Sequence, residues 1–343
     1  MDLEKKKKII LGCISLACVV IGFGGGWILK EKTFQLGDTP LPLRLGGFRF
    51  ISPLLVCNTT ISSASANFLP LKNSLEESVK KVVAVNTIEI ASIYYRDLKT
   101  GEEVEINGNA KFYPASLRKV PLLMALLKSV ENDPTYLNNS RVNLTGKDQN
   151  GQQEIKPKEA AETGKNYSLG DLAEKMIIYS DNNAASALTT LVGAESLVNL
   201  FDKLQVPFVV FNGDFINVDN RDFITAHDYA IFLRVLYNST YLNTSVSEHV
   251  VDLLTHVDYK NGLVAGVPDD ILVAHKFGLL SEKEKKSGVI LNRQLHDCGI
   301  IYHVQSPYIL CIMTKSSAPI SEIEGFIKDI SSITYQAVEE LNK

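Results

Sequence analysis

Little in this chain suits a nucleic-acid partner. Lysine and arginine number 35 against 39 aspartates and glutamates, a formal net charge of −4, whereas a nucleic-acid binder gathers a basic surplus on one face. No internal repeat recurs at a period of about 20–50 residues, which excludes solenoids and propellers. The six histidines form no HExxH or other tight ligand spacing, so no catalytic metal is expected. Cysteine is scarce. Cys13 and Cys18 sit in an apolar stretch near the N-terminus and only Cys57, Cys298 and Cys311 follow, too few for a disulfide framework. Tryptophan occurs once, at Trp27. What is present is a globular composition, 45% hydrophobic and 22% charged over 343 residues, sufficient for one large domain or two ordinary ones around a buried core.

Charge is also missing from Ile9 to Leu29, a run of roughly 21 residues that is long enough to cross a bilayer as a helix. Lys5 to Lys8 precede it, Lys30 and Lys32 follow, and Trp27 sits at its far end where an amphipathic ring favours the interface. The lysine asymmetry puts the N-terminus inside. The run ends in bulky Trp27-Ile28-Leu29 rather than a small-x-small cleavage site, so a retained anchor is expected. The expected organisation is a cytoplasmic tail at 1–8, a single transmembrane anchor at 9–29, an extracytoplasmic connector at 30–70 and a folded domain at 71–343. The connector is rich in Gly, Pro, Ser and Asn, with an apolar piece at Phe48–Val56 suited to packing on the domain.

From Leu71 the pattern turns helical, with Leu71, Leu75, Val79 and Val82 on one face. Strand-like runs Thr87–Tyr95 and Glu103–Ile106 flank a turn signal at Asp97–Gly101. A mostly helical insert at about 115–255 follows. It holds Val120–Ser129, Leu169–Tyr179 behind a Ser168 cap with Asp171 in its first turn, Asn183–Val192, His227–Leu236 and Glu248–Leu254. Strands return at Ile271–His275, His296–His303 and Tyr308–Thr314, and a last amphipathic helix carries Ile320, Ile323, Ile327, Ile330 and Leu341. This order predicts an α+β fold: an antiparallel sheet flanked by terminal helices, beside an all-helical subdomain. Cys298 and Cys311 fall on neighbouring strands, either as small buried core residues or as a bonded pair.

Three short motifs carry chemistry. Ser116-Leu117-Arg118-Lys119 opens a buried helical run, and a serine and a lysine three residues apart share one helix face. Burial and neighbouring cations lower a lysine's pKa, so a neutral amine there can take the serine's proton. The same spacing at Ser78-Val79-Lys80-Lys81 falls on an ordinary surface helix. Ser180-Asp181-Asn182 lies between two helical patterns. Its residues all favour helix caps, yet its hydroxyl can relay a proton and its amide can hold a substrate carbonyl. Lys276-Phe277-Gly278 enters a late strand, where a cation can bind a carboxylate and a glycine lets backbone approach closely. Lys99-Thr100-Gly101 reads as a surface turn. Lys286-Ser287-Gly288 follows the charge run Glu282–Lys286 and is the weaker candidate for the strand lysine.

In order and context these segments resemble the penicillin-recognising serine enzymes, marked by S-x-x-K, S-D-N and K-T-G, over roughly Leu71 to Lys343. Arg221-Asp222 is similar to the pair that closes the active-site loop of class A β-lactamases. The resemblance implies that Ser116 is acylated, that Lys119 is the base and that Ser180 relays the proton. Asn182 would orient the substrate, Lys276 would bind its carboxylate, and the N–H groups of Ser116 and Leu279, beside Gly278, would form the oxyanion hole. No cofactor is implied. The partners implied are a β-lactam or a peptidoglycan peptide, with the membrane reached through the N-terminal helix.

Two departures bear on the substrate. Phe277 stands where a hydroxyl residue helps hold the carboxylate. The water-activating glutamate expected about a dozen residues before Arg221-Asp222 is missing from Val206–Asn217, where Asp214 is the only carboxylate. Three readings follow: a β-lactamase-like hydrolase, a D,D-peptidase of cell-wall metabolism, or a weakly catalytic penicillin-binding sensor.

Overall fold

The structure is a computed structural model that describes residues 43–56, 66–133, 135–151, 153–207, 224–284 and 287–341. The tail and anchor expected at 1–29, the start of the connector, Cys13, Cys18, Cys57, Asp214, Arg221-Asp222 and Lys286 lie outside the described residues.

The described residues open with a two-stranded ribbon, β1 (Leu43–Arg44) and β2 (Leu54–Val56). Phe50 and Ile51 between them are buried. Three successive backbone N–H groups, of Arg49, Phe50 and Ile51, donate to the Glu248 carboxylate at 2.8–3.2 Å. Arg44 donates to the carbonyls of Ser52 and Leu98 and to Asn238. The apolar end of the connector is therefore fastened to the domain.

Helix α1 (Leu69–Ala84) follows, burying Leu71, Leu75 and Val79 as its spacing predicts. Strands β3 (Ile90–Asp97) and β4 (Glu103–Ile106) form a hairpin. In its turn Asp97 Oδ1 accepts from the N–H groups of Lys99 and Thr100, and Gly101 takes φ +82°. Lys99-Thr100-Gly101 is thus a surface turn. The helical section comprises α2 (Lys119–Ser129), α3 (Tyr136–Asn139), α4 (Leu169–Ile178), α5 (Asn182–Leu204), α6 (Ala226–Tyr237) and α7 (Thr244–Thr255), with a small ribbon of β5 (Arg141–Asn143) and β6 (Asn166–Ser168). Ser168 and Asp171 close a capping box on α4. Strands β7 (Val273–Lys283), β8 (Ile290–Ile301) and β9 (Tyr308–Lys315) lead to the last helix, α8 (Ile320–Leu341).

The main sheet is antiparallel throughout, in the order β4-β3-β9-β8-β7. Both faces of its central strands are covered, so they read as nearly continuous apolar runs. On β9, Tyr308, Leu310 and Ile312 face α1 and α8, where Leu75, Ile323, Ile327 and Ile330 complete one core. The alternate residues Ile309, Cys311 and Met313 join the larger core of α2, α4, α6 and α7. The sheet is a middle layer between terminal helices and the helical subdomain.

Two expectations change. β7 runs on to Lys283, so Lys276-Phe277-Gly278 lies inside the strand rather than at its end. The polar residues Ser281–Lys283 conceal a long hairpin with β8. The helix expected at Asn183–Val192 does end there, broken by Gly193 at φ 72°, ψ 164°, and a second helical stretch, included in α5, carries on to Leu204. Leu341 is 41% exposed, because the inward stripe of α8 ends at Val338. Cys298 and Cys311 face each other across β8 and β9 and are joined in a disulfide, with Cα atoms 3.9 Å apart and a sequence separation of 13.

A bond closing a loop of that size limits the unfolded chain. The double variant Cys298→Ala/Cys311→Ala is expected to lose about 2–3 kcal/mol of stability, read as a lower denaturation midpoint in urea, with a slope that does not fall because the unfolded chain is freed to expose more surface.

Candidate active site

Ser116 sits in a single 3₁₀ turn, Ala115–Arg118, that leads directly into α2. Ala115 adopts φ +48°, a left-handed conformation disfavoured for a side chain by roughly 1–2 kcal/mol, so its surroundings must hold it. They do so on several sides. Phe112 exchanges backbone hydrogen bonds with Ile224 at 3.0 and 2.9 Å. The N–H of Tyr113 donates to Gln294 Oε1 at 2.9 Å. The hydroxyl of Tyr229, on α6, donates to the carbonyl of Leu117 at 3.2 Å. His296, fully buried on β8, donates from Nε2 to the carbonyl of Tyr113 at 2.9 Å and accepts at Nδ1 from the N–H of Thr314 at 3.2 Å. That pattern requires a neutral ring with its proton on Nε2, and burial keeps it neutral by pulling its pKa down to about 4.

Gly278 marks where β7 meets this turn. A Cβ there would lie 2.8 Å from the carbonyl oxygen of Pro114 and 3.2 Å from the backbone nitrogens of Ser116 and Leu117. Only glycine permits that approach. The half-buried Ser116 is thereby pinned against the edge strand that carries Lys276, Gly278 and Leu279.

Lys119 is the first residue of α2 and only 2% exposed. Its Nζ donates to the Ser180 carbonyl at 2.6 Å and to Asn182 Oδ1 at 2.7 Å, and lies 3.2 Å from Ser180 Oγ. Burial drives its pKa well below the usual lysine value. The positive charges of Lys276 and Arg118 push the same way, and Asp181 opposes them. Ser180, at φ +57°, presents both its carbonyl and its hydroxyl to that amine.

Asp181 plays the capping part. Oδ1 accepts from the Asn183 N–H at 2.8 Å and from Asn150 Nδ2 at 2.7 Å, and Oδ2 accepts from the Ala161 N–H at 2.6 Å. Cap and polar wall are therefore both present in one motif. Asp181 starts α5 while its neighbours Ser180 and Asn182 turn toward Lys119.

Lys276 is fully buried. Its Nζ lies 4.3 Å from the centroid of the Phe277 ring and donates to the Phe277 carbonyl at 3.3 Å. Desolvation lowers its pKa to about 7, with the Asp297 carboxylate opposing. Phe277 stacks on Tyr259 at 4.2 Å, so its ring serves packing where a hydroxyl was expected. The His275–Asp297 pair, 2.8 Å apart and fully buried, is structural, and Asp297 also accepts from the Leu263 N–H.

Ser116, Lys119, Ser180, Asn182, Lys276 and Gly278 thus lie at one junction of the turn, α2, α5 and β7. The residues that hold them, Asn150, Gln153, Tyr229, Gln294 and His296, carry no local signature, since each acts on a segment far away in sequence. One His/carboxylate cluster among the described residues, Glu103, Glu105 and His227, has its charge offset by Arg96, which ion-pairs Glu103.

The model of the β-lactamase enzyme family matches residues 74–338. The chain belongs to that family. It is a β-lactamase-like serine hydrolase. Solved structures share the family fold at low sequence identity. PBP-A superposes with a TM-score of 0.66 at 20% identity, covering 82% of this chain and 100% of that one. A PBP-A variant solved as its acyl-enzyme with penicillin G gives 0.63 at 21% identity, over 79% of this chain and 97% of that one. A β-lactamase from Chitinophaga pinensis gives 0.63 at 20% identity, over 78% and 100%. No curated protein matches the chain in sequence.

Two outcomes follow from the geometry of this β-lactamase-family site. The folded pKa of Lys276, about 7, lies below its ordinary 10.5, so between those values the unfolded chain binds the extra proton. Stability should therefore rise from pH 7 to 9.5 by up to about 1.4 kcal/mol per unit for each such lysine. Lys276→Met should flatten that slope in urea titrations. His296→Phe leaves the Tyr113 carbonyl and the Thr314 N–H unpaired. It should lower stability by about 2–4 kcal/mol, measured by urea unfolding at neutral pH.

Proposed function

We propose that the chain is a membrane-tethered hydrolase that forms an acyl-enzyme on Ser116, acting on β-lactams or on D-alanyl peptide amides. The observation that carries this reading is the Lys119 amine, buried one turn from Ser116, depressed in pKa and shared with Ser180 and Asn182. In the neutral state it has a lone pair to receive the proton of Ser116 Oγ. The freed oxygen attacks the amide carbonyl carbon. The oxyanion is met by the N–H groups of Ser116 and Leu279. Ser180 then passes a proton to the leaving nitrogen as the C–N bond breaks, and Lys119 returns a proton to Ser180. Asn182 orients the acyl amide. Lys276, where it is protonated, draws in the substrate carboxylate. The apolar run Ile9–Leu29 supplies the tether, with the N-terminus cytoplasmic and the catalytic domain outside.

A second reading, a D,D-peptidase, is favoured by the missing glutamate between Val206 and Asn217. Asp181 does not replace it, because both of its oxygens already accept from Asn150, Asn183 and Ala161. On this reading Asp214, the only carboxylate of that stretch, does not activate the deacylating water, and the penicilloyl adduct persists.

Intact-mass spectrometry after mixing with a penicillin is expected to show a one-to-one adduct that is absent in Ser116→Ala. Lys119→Ala and Ser180→Ala should each slow its formation by about 100- to 10,000-fold. Rapid adduct loss would identify the β-lactamase reading, and release of terminal D-alanine from a cell-wall peptide the D,D-peptidase. A stable adduct without either would leave a sensor. No adduct at any concentration would overturn acylation at Ser116.

A further inference from the structure

The two walls of the cleft belong to different parts of the fold. One is the Ser180–Asn182 turn, backed by the loop around Asn150. Asn150 Oδ1 accepts from the Asn182 N–H at 2.8 Å, Asn182 Nδ2 donates to the Gln149 carbonyl, and Gln153 Nε2 donates to the Ser180 carbonyl at 3.4 Å. The other wall is the Ser116 turn against β7 and β8, where Gln294 accepts from the Tyr113 N–H. Gln153 and Gln294 are followed and preceded, respectively, by Glu154 and Arg293. These two pair directly, Arg293 Nε donating to Glu154 Oε2 at 3.2 Å.

The pair is well placed to transmit position. Its side chains are only 14% and 17% exposed, so water and salt weaken it less than a surface pair. Arg293 is rigidly mounted. Its backbone bridges Ser316 in both directions, and its Nη1 donates to the Ala318 carbonyl at 3.0 Å. Glu154 has no comparable support, for its Oε1 is buried without a partner. The loop is braced internally by Lys156, which donates to the carbonyls of Asn150 and Gly151. Arg293 therefore sets where Glu154 sits, and the loop carries that position to Gln153 and the Ser180 carbonyl.

We propose that the Glu154–Arg293 ion pair is a clamp that fixes the separation of the two walls and so limits the size of the acyl side chain the site accepts. The size limit rests on the acyl-enzyme reading; the clamp itself does not. Neither residue touches substrate in this scheme. Both are positioning residues, one on each side of the cleft.

The test compares acylation rate constants of the full chain in detergent for two penicillins, one with a small and one with a bulky side chain. Glu154→Gln and Arg293→Gln should each raise the bulky-to-small ratio by about five-fold, and the exchanged pair Glu154→Arg/Arg293→Glu should return it toward wild type. A ratio unmoved by either variant would overturn the size limit. Hydrogen exchange gives a reading that needs no turnover. In Glu154→Gln the amides of Asn182 and Tyr113, one on each wall, should lose protection together. Loss at Asn182 alone, or at neither, would show that the pair does not couple the walls. If neither penicillin acylates the wild type while both amides respond, the acyl-enzyme reading fails and the clamp stands.

Discussion

Two lysine amines share a dry junction between the sheet and the helical subdomain, and neither can hold its charge there at its ordinary strength. Lys119 and Lys276 are both almost completely buried, and the charge of Lys276 disfavours protonation of Lys119. Desolvation is the larger cause for both. A neutral amine beside a serine is otherwise rare at neutral pH, since an exposed lysine keeps its proton to about pH 10.4. The site's chemistry therefore depends on excluding water from Lys119 while leaving Ser116 half-open. The packing of α2 meets both demands. Every residue from Lys119 to Leu127 is buried, while the turn ahead of it stays at the surface of the core.

Holding that arrangement requires support from distant segments. Ala115 and Ser180 both adopt left-handed backbone conformations, which persist only when neighbours over-determine them. For Ala115 the neighbours are Gln294, His296 and Tyr229, each bonded to backbone in the segment Tyr113–Leu117, together with the close approach at Gly278. For Ser180 they are Lys119, Gln153 and the Asp181 network around Asn150 and Ala161. Backbone strain, buried amines and polar struts concentrate where the motifs meet, and apolar packing dominates elsewhere. This is the expected division between a reactive site and its scaffold.

Much of the fold was legible because it follows local periodicity. The stripe Leu71, Leu75, Val79 predicted α1 and its buried face. The Ser168/Asp171 pair predicted the start of α4, and Glu103–Ile106 came out as β4 without a shift. Errors fell where the pattern is polar. β7 runs through Ser281–Lys283 because β8 pairs with it, a hydrogen-bonding reason that side-chain hydropathy does not register. The break expected after Val192 is present, because Gly193 interrupts the helical dihedrals before a second helical stretch runs on to Leu204. Lys276 was recognisable by its place after Val273-Ala274-His275, but its partners were not.

Sequence alone determined the chemistry available: which serine stands three residues before a lysine at the head of a buried helix, which glycine follows the strand lysine, and that no glutamate lies between Val206 and Asn217. These are properties of residue type and short spacing, set by a helix turn or a strand step. Only the tertiary structure decided that Lys119 meets Ser180 and Asn182, sixty-odd positions away, that Phe277 stacks on Tyr259, and that Glu154 reaches Arg293. Such contacts arise from sheet register and from packing between segments far apart in the chain. Their free energy depends on burial, which no single stretch of residues specifies.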